Sequence, residues 1–154
     1  MRHIHFFIRV VYINFKMYLK VQDNTFIRRI TMSKTEQVEK LTNYMANFVS
    51  YIGKVLPDDI IAKLDELAEK EDSPLSKTIY QTMKLNQKLA KDLNRPSCQD
   101  TGVLQFWVKC GTKFPLIGEL EALLKDAVVK ATFEAPLRHN SVETFDEYNT
   151  GKNV

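Results

Sequence analysis

Between Ser33 and Glu134, apolar residues recur three and four positions apart in stretches bounded by proline or glycine. Only one stretch, Val103–Cys110, alternates at a period of two. This pattern confines the chain to a mostly helical body carrying one clear strand.

The first helical stretch runs from Ser33 to Ile52, with Val38, Leu41, Met45, Phe48, Val49 and Ile52 on one face. Ser33 and Glu36 have the spacing of a capping box, and Gly53 is expected to end the helix. A second helix is expected from Pro57, with Asp58 and Asp59 in its first turn and Ile60, Ile61, Leu64, Leu67 and Ala68 buried. Ser73 and Pro74 start a third, striped by Leu75, Ile79, Met83, Ala90 and Leu93, which must stop near Asn94 because Pro96 biases Arg95 away from helical geometry. A fourth spans Gly118 to Glu134, with Leu120, Leu123, Leu124, Ala127, Val128 and Ala131 inward, and Pro136 marks its end. These stripes read as core packing rather than as a cofactor box.

In the strand, Leu104, Phe106, Val108 and Cys110 share one face. A lone strand cannot satisfy its own backbone donors and acceptors, so partners must exist. Either the run FFIRVVYINF near the N-terminus supplies one, or partners lie beyond Val154. The second is favoured, because residues 137–154 are polar and loop-like yet end without a terminating element. The expected fold is therefore α+β: a mostly helical fragment of about four amphipathic helices with at least one strand, an incomplete part of a larger domain.

Residues 1–31 differ in composition from the rest of the chain. They hold six Lys/Arg against one acid, and about half of them are Ile, Phe, Asn, Lys or Tyr, the residues of A/T-rich codons. Charges and histidines interrupt every apolar run, so the segment is neither a signal peptide nor a membrane span, and it lacks the Ser and Ala of a transit peptide. It reads as a non-native extension translated from upstream DNA, with Met32 the natural start and residues 32–154 the domain proper. A basic aromatic arm touching membrane or nucleic acid is the alternative. Residues 32–154 carry sixteen Lys/Arg against eighteen acids, so the net charge of +3 comes from the N-terminal segment and the body shows no nucleic-acid footprint.

Cys98 and Cys110 fit no CxxC zinc or redox spacing, and a disulfide framework is not expected. Cys110 lies on the strand's apolar face and reads as buried. Cys98 lies in the polar loop Arg95–Gly102, which with Leu137-Arg138-His139-Asn140 concentrates reactive groups beside regular elements. Cys98 offers a soft thiolate, Asp100 a carboxylate, and Arg138 a planar fork that pairs bidentately with a carboxylate. Together they point to a site for a small carboxylic acid. Each also has a plainer reading: Asp100 and Thr101 as turn caps, Arg138 as a surface ion pair, His139 as a solvated side chain. No oxyanion-hole signal accompanies Cys98 and His139, so a cysteine hydrolase does not follow.

The strings NRPSCQDTG, FPLIGELEALLKDAV and APLRHNSVETFDEYNTGKN resemble the α chains of the iron–sulfur hydro-lyases, the family of the L-tartrate dehydratases and class I fumarases. The resemblance covers residues 33–154; CQDTG is shared across the family, whereas LRHN and DEYNTGKN look more like its tartrate branch. It implies that Cys98 is one of three thiolates on a 4Fe-4S cluster whose remaining two ligand cysteines lie beyond residue 154. It further implies that Gln99, Asp100 and Arg138 bind the substrate, with Asp100 the catalytic residue that protonates the departing hydroxyl. The activity so implied is dehydration of L-tartrate to oxaloacetate, with malate or fumarate as the alternative substrate. The small dicarboxylic hydroxy acid would be held in a cytoplasmic enzyme with a separate β subunit, and this chain alone would be inactive. A non-catalytic helical interaction domain, with CQDTG as a mere turn, is the rival reading.

Overall fold

The computed structural model describes residues 4–10, 13–19, 32–98 and 104–154, the first two stretches through their backbone. Strands β1 (Ile4–Val10) and β2 (Ile13–Leu19) pair antiparallel. Helices α1 (Lys34–Lys54), α2 (Asp58–Lys70) and α3 (Pro74–Asp92) come next, then strand β3 (Gln105–Lys109) and helix α4 (Leu120–Glu134). The described residues are thus mostly helical, with a sheet in the order β2-β1-β3.

Local chemistry accounts for the helix ends. At α1 the Ser33 hydroxyl accepts from the Glu36 N–H at 3.2 Å while the Glu36 carboxylate accepts from the Ser33 N–H at 2.6 Å, the reciprocal bonds of a capping box. The helix runs one residue past Gly53, its expected end, and closes through the Val55 N–H to the Tyr51 carbonyl at 3.0 Å. Pro57, Asp58 and Asp59 open α2, and Ser73 caps α3 with Pro74 in its first turn. Asn94 adopts φ +50° beyond α3; its N–H meets the Lys91 carbonyl at 3.4 Å and the Arg95 N–H meets the Ala90 carbonyl at 3.0 Å. A left-handed residue at this place satisfies the last carbonyls and turns the chain off the helix.

The core lies between α1 and α4. Met45, Ala46, Val49 and Ile52 of α1 meet Leu123, Ala127 and Ala131 of α4, all essentially inaccessible to water. The alanines bring the two backbones close, and each large side chain fully buried there contributes roughly 1.5–3 kcal/mol. Leu104, Phe106, Val108 and Cys110 cover this core from the inner face of β3, while Trp107 on the other face is 46% exposed. The alternation read in the sequence is therefore realised.

Two expectations are corrected. β3 takes its partner from the N-terminal segment, pairing antiparallel with β1 so that Phe7 opposes Trp107 and Ile8 opposes Phe106. Of the two sources open to the strand, this is the one that the sequence favours less, and the β-prone composition of residues 4–10 supplies its physical basis. The stripes of α2 and α3 also do not join the core. No residue of α2 is buried and Leu67 is 41% exposed; in α3 only Ala90 is buried and Leu75 is 71% exposed. Because α1 and α4 already cover each other's apolar faces, α2 and α3 stand beside them, linked by the Asp65–Lys84 ion pair at 2.6 Å. No helix among the described residues is long and apolar enough to cross a membrane.

Candidate functional site

Cys98 is held by the end of α3 and the last turn of α1. The Ser97 N–H donates to the Gly53 carbonyl at 2.9 Å, and Ser97 is 3% exposed, which fixes the residue immediately before the cysteine. The Cys98 N–H donates to Asn86 Oδ1 at 2.7 Å. With its backbone fastened by these two bonds, the free thiol of Cys98 faces solvent.

Arg138 is held by the end of α4. Pro136 has no N–H to offer the helix, and the Leu137 N–H instead reaches back to the Thr132 carbonyl at 3.1 Å. The chain then leaves α4 beside the Cys98 loop. Arg138 Nη2 lies 3.9 Å from Cys98 Sγ, although the two residues are 40 apart in sequence. That is the outer limit of an N–H···S contact, and both side chains remain accessible to a small ligand.

The rest of the APLRHNSVETFDEYNTGKN string supports this corner. Residues 141–150 form a narrow loop closed by the bridge between Val142 and Asn149 and by the Glu143 N–H to the Tyr148 carbonyl at 2.8 Å. The Glu143 carboxylate accepts from the N–H groups of Phe145 and Asp146 at 2.8 and 2.6 Å, stabilising the turn between them. The Asn149 side chain donates to the His139 carbonyl, and the His139 ring lies beside Gly151. His139 is exposed and at the rim.

Of the residues singled out in the sequence, Cys98 and Arg138 come together, while Gln99 and Asp100 lie outside the described residues. Cys110 packs against the core but is half-buried rather than buried as its place on the strand suggested. Sequence reasoning missed Asn86, Ser97, Thr132 and Asn153 as supports. Asn86 did leave a signal: it occupies a stripe position between Met83 and Ala90 where an apolar residue is expected.

Among the described residues, no three His, Cys, Asp or Glu side chains gather as a metal site. An exposed, free thiol beside a guanidinium fits one ligand of a soft-metal or iron–sulfur centre and leaves the set to be completed by other residues.

The family model for fumarate hydratase (Fumerase) matches residues 42–154. The chain is 54% identical over 122 residues to the L(+)-tartrate dehydratase subunit alpha of Escherichia coli O157:H7, covering 79% of this chain and 40% of that protein. The subunits of the same name from Escherichia coli strain K12 and Shigella sonnei strain Ss046 match with the same identity and the same coverage. The chain thus spans about 40% of the length of these curated relatives. With a match reaching from the middle of α1 through both site loops to Val154, the chain belongs to the fumarate hydratase (Fumerase) family.

Proposed function

We propose that this chain forms part of the α subunit of a hydro-lyase that dehydrates L-tartrate to oxaloacetate and water, working in the cytoplasm with a β subunit. The observation that carries the reading is the meeting of Cys98 and Arg138 at one exposed corner, with the sulfur and guanidinium 3.9 Å apart. A thiol able to hold a metal centre next to a fork able to hold a carboxylate suits a metal-assisted hydroxy-acid dehydratase. The relatives' name supports tartrate as the substrate. The family's name supports malate and fumarate as the second reading.

In this reading Cys98 is one ligand of a 4Fe-4S cluster, and the other two ligands are cysteines outside this chain's 154 residues. The cluster supplies Lewis acidity toward the substrate's hydroxyl and carboxylate when bound. Arg138 grips a carboxylate and orients the carbon that bears the leaving hydroxyl. Gln99 and Asp100 line the substrate, and Asp100 gives the proton with which the hydroxyl departs as water. The proton on the neighbouring carbon goes to a base of the β subunit, and the enol that remains becomes the keto acid.

The test is Arg138→Lys in the enzyme assembled from the full-length α chain and its β subunit. Losing a charge-assisted bidentate contact is worth about 1.5–3 kcal/mol, on the order of ten- to a hundredfold in kcat/KM. That loss is expected with cluster absorbance retained. Full kcat/KM with both L-tartrate and malate would remove Arg138 from the site.

A further inference from the structure

From the hydrogen bonds around its side chain, we infer that Asn153 is a positioning residue for Arg138. Asn153 Nδ2 donates to the Arg138 carbonyl at 2.9 Å and to Thr132 Oγ1 at 3.1 Å. Its Oδ1 accepts from the Asn140 N–H at 2.8 Å and the Ser141 N–H at 3.4 Å. A side-chain amide has two donors and two acceptor lone pairs, and here each is matched within the same corner.

The anchor is rigid. Thr132 is 1% exposed, and its own hydroxyl hydrogen goes to the Val128 carbonyl at 2.8 Å, which leaves its oxygen free to accept from Asn153. One amide therefore ties the Arg138–Ser141 backbone to the buried face of α4, the helix at the centre of the core. Asn153 sits at φ +61°, a conformation asparagine tolerates better than most residues. Neither aspartate, which has no donor, nor glutamine, one methylene longer, reproduces the set. By holding the Arg138 carbonyl and the N–H groups of Asn140 and Ser141, Asn153 determines where the guanidinium stands relative to Cys98. The consequence for catalysis rests on the proposed role of Arg138 as the carboxylate grip.

The first arm of the test uses the full 154-residue chain. Asn153→Ala is expected to speed amide exchange at Asn140 and Ser141 by about tenfold or more, while the amides of α1 and α4 stay protected. The nuclear Overhauser contact between the Arg138 side chain and Cys98 should disappear. Asn153→Asp keeps the acceptor and loses the donor, so Asn140 and Ser141 should stay protected while the Arg138–Cys98 contact weakens; this variant decides the matter if the alanine form does not fold. Persistence of the contact in Asn153→Asp, or loss of protection spread through α4 in either variant, overturns the inference.

The second arm uses the assembled α/β enzyme. Asn153→Asp should raise KM for L-tartrate by about tenfold, with kcat changed much less, since a displaced Arg138 weakens grip more than chemistry. Arg138→Lys is the control. If that control leaves KM unchanged, the carboxylate reading of Arg138 fails, whereas the exchange result still reports whether Asn153 holds the loop.

Discussion

The Ser97 N–H donates to the Gly53 carbonyl at 2.9 Å, and a Cβ placed on Gly53 would lie 3.1 Å from Leu137 Cδ2. The loops bearing Cys98 and Arg138 therefore dock on one residue in the last turn of α1. Gly53→Ala should gain helix propensity worth up to about 1 kcal/mol, offset by the tight contact, so the melting temperature should move little. Leu137 must shift by a few tenths of an ångström, and that shift passes to Arg138. The check is calorimetry together with KM: weaker substrate binding at unchanged stability is expected, and unchanged KM would show that Leu137 absorbs the displacement alone.

Cluster assembly and substrate grip should separate. Cys98→Ser replaces a soft thiolate by a poor iron ligand, so iron content, visible absorbance and turnover of the assembled enzyme are expected to fall together. Folding should be untouched, because the Cys98 side chain is exposed and the support from Asn86 reaches its backbone N–H. Retained cluster in this variant would remove Cys98 from the ligand set.

Leu123 is 1% exposed at the α1–α4 contact, and Leu123→Ala should destabilise the chain by about 2–5 kcal/mol through lost burial and the cavity left behind. Leu75→Ala, at a position 71% exposed, should cost less than about 0.5 kcal/mol. Equal losses in denaturant titrations of the two variants would contradict this placement of the core.

Removing residues 1–31 deletes β1, the partner of β3. Helical circular dichroism should persist, since the described core residues lie on α1 and α4, while the amides of Gln105–Lys109 should exchange faster. Loss of helicity would show that the N-terminal strands are needed for the helical body to fold.

The Glu66 carboxyl lies between the ammonium groups of Lys63 and Lys70, which hold its pKa below the ordinary value. A depressed carboxylate pKa stabilises the fold above the unfolded value and loses that contribution as pH falls through the folded one. The pair is open to solvent, so only a small effect on melting is expected. Titration by carbon NMR should find Glu66 below the ordinary glutamate value at low salt, with the difference shrinking at high salt and in Lys63→Ala.

Much of this architecture was legible from residues 33–134. The Ser33/Glu36 box, the Ser73-Pro74 start and the inward face of the strand from Leu104 to Cys110 are local signals, and each appears at the place its spacing implies. The fate of Ile60, Leu67, Leu75 and Ile79 was not legible, because periodicity marks an apolar face without saying whether anything covers it. Cys98 and Arg138 stood out by chemistry. Asn86, Thr132 and Asn153 did not, since an amide or hydroxyl serving a group 12 to 21 residues away leaves no pattern in composition.

α2 has no buried residue, and the Asp65–Lys84 pair that joins it to α3 is solvated on both sides. A helix so placed is expected to open at a free energy under that of global unfolding. Among the described helices, residues 58–70 should be the first to become protease-sensitive as temperature rises, while the α1–α4 unit stays closed. The corner carrying Cys98 and Arg138, anchored to that unit at Gly53 and Thr132, should keep its shape after α2 has melted.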